Sequence, residues 1–322
     1  MKALVFDKEL KLDNNYPEPV LGDNEVLIKT LMVGICNTDY EITKGYMGYK
    51  GVLGHEFVGV VEKVGKNAPS TLLHKRVVGE INCACEECDW CNKNLQRHCP
   101  NRQTLGIWQK DGCFSEYFTL PYQNVIPISD KVDDMTATFT EPLAAAYEIL
   151  EQVHIEPTQK VALVGDGKLG LCISLIFNAL NIDYVHIGKH EEKLNISKDL
   201  GAKTLFVSEL NETYKKSFDV VVEATGSISG FDTSVSLVKP RGILVLKSTI
   251  AANQGINLAP VVVDEITIIG SRCGQFRPVL RLLEKQKINV KPLIEKVFDV
   301  NDFKEAFELN SQKNTLKVLV KF

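Results

Sequence analysis

The stretch KVALVGDGKLGLCISLIFNAL (160–180) decides the fold of this 322-residue chain. A short apolar strand runs directly into a G-x-G-x-x-G turn, and an apolar helix follows at once. In such a turn the first glycine permits the sharp bend, the second lets a pyrophosphate approach the backbone, and the third lets helix and strand pack closely. The helix N-terminus adds unpaired amides that suit phosphate oxygens. The stretch therefore predicts dinucleotide binding through Gly165, Gly167, Lys168, Leu169 and Gly170.

Further short apolar runs follow this turn and alternate with helical patterns such as EEKLNISKDLGA (191–202). The runs are YVHIG (184–188), TLFV (204–207), VVVEAT (220–225) and ILVLK (243–247). Alternation of helices with uniformly apolar strands indicates a parallel sheet that is covered on both faces. We therefore expect an α/β fold, with a Rossmann doubly wound parallel sheet over residues 141–272.

The N-terminal part of the chain has a different pattern, in which short alternating apolar runs are broken by glycine and proline. This pattern suits an antiparallel barrel or sandwich. The final run LKVLVKF (316–322) is expected to rejoin these strands after two helices. The sequence thus predicts a discontinuous β-rich domain formed by residues 1–140 and 273–322. Its clearest strand patterns lie at 25–34, 56–65 and 75–81.

The bulk composition argues against several classes of function. A net charge of −4 arises from 37 basic and 41 acidic residues without a long run of like charge, which gives no support for binding nucleic acid or a membrane surface. No stretch approaches the roughly eighteen apolar residues that span a bilayer. Because the N-terminus lacks an export signal, the nine cysteines are expected to be reduced thiols in the cytoplasm.

The end of the second strand of the parallel sheet bears on the choice of cofactor. An NAD site carries an Asp or Glu there, which accepts a hydrogen bond from the ribose 2′-hydroxyl. This chain has Gly188, Lys189 and His190 instead. A glycine leaves room for a 2′-phosphate, and the two basic side chains can pair with it. We therefore predict that NADP(H) is preferred over NAD(H). The alternative is that Lys189 is only a solvated side chain.

Four cysteines form a tight C-x2-C-x2-C-x7-C run, which defines a lobe at about 83–101. Their spacing favours a structural zinc site with four thiolate ligands. An iron–sulfur cluster would need a shorter third spacing before the last Cys-Pro, and unliganded thiols are the other alternative. Cys83 and His98 lie close by and are interpreted as bystanders. The expected ligands are Cys85, Cys88, Cys91 and Cys99.

A second set of metal-type side chains lies upstream, at Cys36 and at His55 with Glu56. One thiolate, one imidazole and one carboxylate would leave a fourth position open, which is the catalytic kind of zinc site. Asp39 either accepts the other ring N–H of His55 or caps a helix. Glu141 is a carboxylate that opens a predicted helix, a position that by itself requires no function.

Taken together, these residues resemble the zinc-containing medium-chain dehydrogenase/reductase family, which includes alcohol and polyol dehydrogenases. The resemblance covers essentially the whole chain: the Cys36 segment, the GHE of 54–56, the four-cysteine lobe, the EPLA of 141–144 and the glycine turn occur in the family's order. It implies a GroES-like catalytic domain beside the Rossmann domain. It also implies one catalytic and one structural zinc ion per chain.

The resemblance also assigns roles to individual residues. Cys36 and His55 match the catalytic zinc ligands, and Glu56 matches a residue that binds the zinc directly or exchanges on and off it. Glu141 matches the third ligand of polyol-type members. Thr38 matches the hydroxyl of a proton relay, and its alternative is a residue of a helix N-terminus. Lys317, in the last strand, matches a basic residue that contacts the cofactor pyrophosphate in some relatives.

The implied reaction is reversible hydride transfer between an alcohol or polyol, or the matching ketone or aldehyde, and NADP(H). A sugar (aldose) dehydrogenase of the same family and a non-catalytic NADP(H)-binding protein are the alternatives. The family also implies a homodimer or homotetramer. Four aromatic side chains are candidates either for a substrate pocket or for the core: Tyr46, Tyr49, Phe57 and Trp108.

Overall fold

The computed structural model describes residues 1–249 and 255–322. Its strands, numbered along the chain, are β1 (Ala3–Asp7), β2 (Glu9–Asp13), β3 (Glu25–Gly34), β4 (Gly51–Val52), β5 (Glu56–Val64), β6 (Arg76–Gly79), β7 (Asn82–Cys83), β8 (Gln103–Leu105), β9 (Gln109–Lys110), β10 (Tyr117–Pro121), β11 (Val125–Pro127), β12 (Val161–Val164), β13 (Tyr184–Gly188), β14 (Lys203–Phe206), β15 (Phe218–Glu223), β16 (Val238–Leu246), β17 (Thr267–Gly270), β18 (Ile294–Asp299) and β19 (Lys317–Lys321). Its α-helices are α1 (Asn37–Thr43), α2 (Asp89–Asn92), α3 (Asp134–Thr138), α4 (Thr140–Gln152), α5 (Lys168–Ala179), α6 (Glu191–Asp199), α7 (Ile228–Leu237), α8 (Ala259–Val263), α9 (Phe276–Glu284) and α10 (Phe303–Ser311).

The chain divides into two compact units. The first unit comprises Met1–Glu141, Phe276–Gln286 and Leu293–Phe322, and the second comprises Pro142–Gln275 and Lys287–Pro292. The boundaries predicted from the sequence lie at 140/141 and 272/273, and in the structure residues 287–292 also group with the second unit. None of the helices in the described residues has the length and apolarity that crossing a bilayer requires.

A seven-stranded sheet forms the centre of the first unit, in the order β11-β6-β5-β3-β19-β18, with β10 also paired to β3. The strand β3 is long enough to pair antiparallel with β5, β10 and β19. Its inward side chains, among them Val26 and Ile28, are fully buried. The return of the final strand to the N-terminal sheet is therefore confirmed, with Leu319 opposite Gly34.

The second unit holds a six-stranded sheet in the order β14-β13-β12-β15-β16-β17, in which every pairing is parallel. This is the doubly wound order 3-2-1-4-5-6 of dinucleotide-binding folds. The central strand β12 is buried at each of its four residues, as a strand covered by helices on both faces must be. The expected α/β fold is confirmed.

Candidate metal and cofactor sites

The turn from β3 into α1 places Cys36 and Asp39. Cys36 precedes the first helical residue, and its backbone N–H donates to Oδ2 of Asp39 over 2.9 Å. Oδ1 of Asp39 accepts from the backbone N–H of Gly54 and lies 3.3 Å from Nδ1 of His55, although these two atoms are not aligned as a hydrogen bond. Asp39 is fully buried. Asp39 therefore caps the helix and lies beside His55. That it accepts a hydrogen bond from the His55 ring stays a prediction.

The ligand atoms of Cys36, His55 and Glu56 all lie within 4.8 Å of one another. His55 and Glu56 are almost fully buried. Burial alone would lower the pKa of His55, but Asp39 and Cys36 outweigh it and raise the pKa well above its usual value. The cluster thus combines a sulfur, a nitrogen and an oxygen donor, with the Asp39 carboxylate beside them, and this combination suits a zinc ion with an open position.

The carboxylate of Glu56 has a cationic partner from the far end of the chain. The Lys317 ammonium donates to both carboxylate oxygens, over 2.9 and 2.6 Å, and lies 3.4 Å from the carbonyl oxygen of Ile35. A Cβ at Gly34 would lie 2.5 Å from Oε2 of Glu56, so a larger residue at position 34 would displace the carboxylate from this position. The structure therefore places the Lys317 ammonium against Glu56.

Glu141 lies outside the group of mutually close ligand atoms in the described residues. Burial raises the pKa of its carboxyl to about 7, an effect that His55 and Lys317 partly offset and Glu56 reinforces. These electrostatic neighbours place Glu141 beside the cluster. The hydroxyl of Thr38 is 3.6 Å from the Cys36 sulfur.

The four cysteines of the lobe form a compact group. Their Sγ atoms are 3.5 to 4.0 Å apart in the four pairs that make contact. A tetrahedron with Zn–S bonds of about 2.3 Å has edges of about 3.8 Å, so the sulfurs fit a closed zinc site. The backbone N–H of Glu87 lowers the pKa of Cys85 to about 6, whereas burial raises that of Cys91 to about 12. Cys83 and His98 lie outside this group.

The nucleotide turn has the backbone that its glycines predict. Gly165 has a φ of +117°, and a Cβ on Gly170 would lie 1.9 Å from the Gly165 carbonyl oxygen. A Cβ on Gly167, in contrast, would have nothing within 4 Å. The first and third glycines are thus required by the protein itself, while the second leaves an open approach to the start of α5. Lys168 and Leu169 are the first residues of that helix and are partly exposed.

A buried histidine that sequence reasoning missed holds this turn. Nε2 of His186 lies 2.9 Å from the Gly165 carbonyl oxygen, and Nδ1 lies 2.7 Å from the hydroxyl of Ser197. The chain of hydroxyls continues to Ser174 and Tyr184. Burial lowers the pKa of His186, which keeps the ring neutral. Its position inside the apolar run YVHIG was the available signal.

At the end of β13, Asp166 from the glycine turn contacts the next loop. Its Oδ2 accepts from the backbone N–H groups of Lys189 and His190, each over 2.7 Å. A Cβ on Gly188 would lie 2.5 Å from that oxygen, so the space beside this glycine is filled by a carboxylate. A cavity of about 310 Å³ opens next to it. The cavity is lined by Gly188, Lys189, Phe206, Val207 and Ser208.

The aromatic candidates divide into two pairs. Phe57 packs edge-on against Phe118 in the core, and the Tyr49 hydroxyl is bonded within its own unit to the Val52 and Lys110 carbonyls. Tyr46 and Trp108 are exposed.

Two family models match the chain in succession. The model of the alcohol dehydrogenase GroES-like domain matches residues 22–130, and that of the zinc-binding dehydrogenase matches residues 169–285. D-arabitol-phosphate dehydrogenase of Enterococcus avium is 28% identical, over 98% of this chain and 94% of its own. D-arabinitol dehydrogenase 1 of Uromyces fabae is 27% identical, over 100% and 97%.

Among solved structures, the chain is similar to a short chain alcohol dehydrogenase (rspB) from E. coli CFT073 in complex with NADH. The TM-score is 0.92 at 27% identity, and the match covers 100% of this chain and 99% of the other. Both matched domains follow one another as the two units of the fold do. The chain is therefore an oxidoreductase that acts on CH–OH groups, and it belongs to the zinc-containing medium-chain dehydrogenase/reductase family.

Proposed function

We propose that this protein is a zinc-dependent dehydrogenase that transfers hydride reversibly between a polyol or other alcohol and NADP(H). The observation that carries the proposal is the buried cluster of Cys36, His55 and Glu56, whose ligand atoms lie within 4.8 Å of one another. A structural zinc site with four thiolates has no ligand position for the Glu56 carboxylate, which pairs with Lys317. A catalytic zinc site, which keeps one position open, can include a carboxylate among its ligands.

The chain's own residues would prepare the reaction. Cys36 and His55 would hold the catalytic zinc, with Glu56 or Glu141 as the carboxylate ligand. Zinc bound there supplies Lewis acidity, which makes a substrate hydroxyl easier to deprotonate. Asp39, whose Oδ1 lies 3.3 Å from Nδ1 of His55, would orient the imidazole when the zinc is bound. Thr38, with its hydroxyl beside the Cys36 sulfur, is placed to pass the substrate proton outward.

A second zinc ion in the four-cysteine lobe would have a structural role, because four thiolates leave no position for a substrate. The sulfur separations of 3.5 to 4.0 Å support this assignment. None of the nine cysteines, all of which lie in the described residues, is joined in a disulfide, which supports a protein of the cytoplasm.

The preference for NADP(H) is supported by the cavity at the end of β13. Lys189 and Ser208 line it and offer an ammonium and a hydroxyl to a 2′-phosphate. The preference for a polyol is supported by the two relatives that are named as arabitol or arabinitol dehydrogenases.

A homodimer, alone or as half of a tetramer, is supported by the edge of the parallel sheet. Strand β17 is an edge strand, and helix α8, just before it, exposes Val262 and Val263 by 75% and 77%. An apolar patch beside an open strand edge favours pairing with a second copy. Light scattering of the purified chain measures the number of copies.

Zinc content per chain, combined with a substrate screen, tests the proposal. We expect one zinc ion for each of the two clusters, and oxidation of C5 or C6 polyols that is faster with NADP⁺ than with NAD⁺. Preferential oxidation of aldoses would favour the sugar dehydrogenase instead. Zinc in both clusters without turnover of any polyol, alcohol or aldose would favour a non-catalytic NADP(H)-binding protein.

A further inference from the structure

Asp166 stands between the first two glycines of the nucleotide turn, and its side chain is turned away from solvent. The residue is only 7% exposed. Its carboxylate reaches the loop that follows β13, where Oδ2 accepts from the Lys189 and His190 amides over 2.7 Å. The His190 Nδ1 lies 3.1 Å from both carboxylate oxygens. The two amides therefore fix the carboxylate at one place, with the His190 ring beside it.

That place is the carboxyl end of the second strand of the Rossmann order. A Cβ on Gly188 would be 2.5 Å from Oδ2 of Asp166, so the carboxylate lies where a side chain at 188 would begin. The sequence at 188–190 carries no acid, yet the structure supplies one from the neighbouring turn. In dinucleotide-binding folds an acid at this strand end accepts from the ribose 2′-hydroxyl and repels a 2′-phosphate.

The two oxygens of this carboxylate are used differently. Oδ2 has both amides, whereas Oδ1 faces only the His190 ring among the described residues. Burial opposes ionisation, but the amides of His190 and Lys189 and the His190 ring hold the pKa of Asp166 below its usual range. One oxygen of an ionised carboxylate thus keeps lone pairs for a hydroxyl donor.

We propose that Asp166 is a specificity-determining residue for the cofactor, which accepts a hydrogen bond from the ribose 2′-hydroxyl of NAD(H) and weakens binding of the 2′-phosphate of NADP(H). This inference rests on the proposed function, since the second unit must bind a nicotinamide dinucleotide. The cofactor preference is then a balance of two side chains at one strand end. Lys189 in the cavity favours the phosphate, and Asp166 opposes it.

The test is a fluorescence titration of the full chain with NADPH and with NADH, which measures binding without turnover. In Asp166→Asn, we expect the ratio of Kd for NADPH to Kd for NADH to fall by about tenfold or more. The reason is that the substitution removes the repulsion between the Asp166 carboxylate and the 2′-phosphate of NADPH. Asp166→Ser, which keeps a small acceptor for the amides, should shift the ratio in the same direction. Asp183→Asn, an exposed acid at the opposite end of β13, is the matched control and should leave the ratio unchanged.

The outcomes separate the inference from the proposed function. A wild-type chain that binds neither dinucleotide overturns the proposed function itself. The second outcome applies when the wild-type chain binds both dinucleotides. If the Kd ratio is then unchanged in an Asp166 variant that retains the wild-type circular dichroism spectrum, the role of Asp166 alone is overturned.

Discussion

The two metal-type clusters of the first unit differ in what holds their ligand side chains. In the four-cysteine lobe, the sulfurs contact chiefly one another, and all four come from residues 85–99. In the other cluster, each acid or imidazole has a buried partner: Asp39 stands behind His55, and Lys317 binds Glu56. A metal ion would offset the crowding of thiolates in the first cluster, whereas protein charges already stabilise the second. This difference is what a structural and a catalytic site require of a fold.

The largest expected effect separates the two clusters by removing a ligand from one of them. Cys36→Ala should lower turnover by about 10⁴-fold, because metal activation of a hydroxyl is worth several kcal/mol. Metal analysis should show one zinc ion lost and the lobe's zinc retained. Cys113→Ala, a buried cysteine of the same unit outside both clusters, is the control. Equal metal content in the two variants would contradict the assignment.

Much of this contrast is accessible from sequence. The lobe is predictable because its four ligands are neighbours along the chain, so that spacing alone brings them together. Cys36 and His55 are predictable by residue type and by resemblance. The partner of Glu56 is not, because it is set by the register of β19 against β3, about 280 residues apart. The position of the Asp166 carboxylate could not be predicted for a similar reason: it lies beside Gly188, at the end of strand β13.

The next effect tests whether the cluster of Cys36, His55 and Glu56 takes part in proton transfer through Thr38. Thr38→Ala should reduce turnover by a factor on the order of 10²–10⁴ if the hydroxyl is the acid–base route. Zinc content and NADPH affinity should stay at wild-type values, because the Thr38 hydroxyl is not a proposed zinc ligand. It lies 3.6 Å from the sulfur of one, Cys36. Thr43→Ala, at the other end of the same helix, provides the comparison. Undiminished turnover in Thr38→Ala would remove it from the mechanism.

A third prediction concerns the ion pair between Lys317 and Glu56. Lys317→Met leaves Glu56 buried without its cation, which costs about 3–5 kcal/mol of unfolding free energy. Lys321→Met, on the same strand but exposed, should change stability by no more than about 0.5 kcal/mol. Urea unfolding measures both. The double variant Lys317→Met with Glu56→Gln should recover part of the loss, since position 56 then carries no unpaired buried charge. Equal midpoints for the two lysine variants would show that the pair contributes nothing.

The smallest effect extends the comparison to the nucleotide turn, which is held by a neutral imidazole instead of a charged group. His186 bonds the Gly165 carbonyl through Nε2, and burial depresses its pKa below the usual 6.5. Below pH 6.5 the unfolded chain binds a proton that the folded ring does not, so stability declines as pH falls from 6.5 toward the folded pKa.

His186→Phe should therefore lower stability by about 1–3 kcal/mol at pH 8, where the lost bonds leave buried polar partners. It should also flatten the decline in stability below pH 6.5, as urea midpoints at several pH values would show. His154→Phe, an exposed histidine of the same unit, should keep the wild-type slope. If His186→Phe kept that slope as well, the ring would be titrating alike in both states, and its bond to Gly165 would not depend on its being neutral.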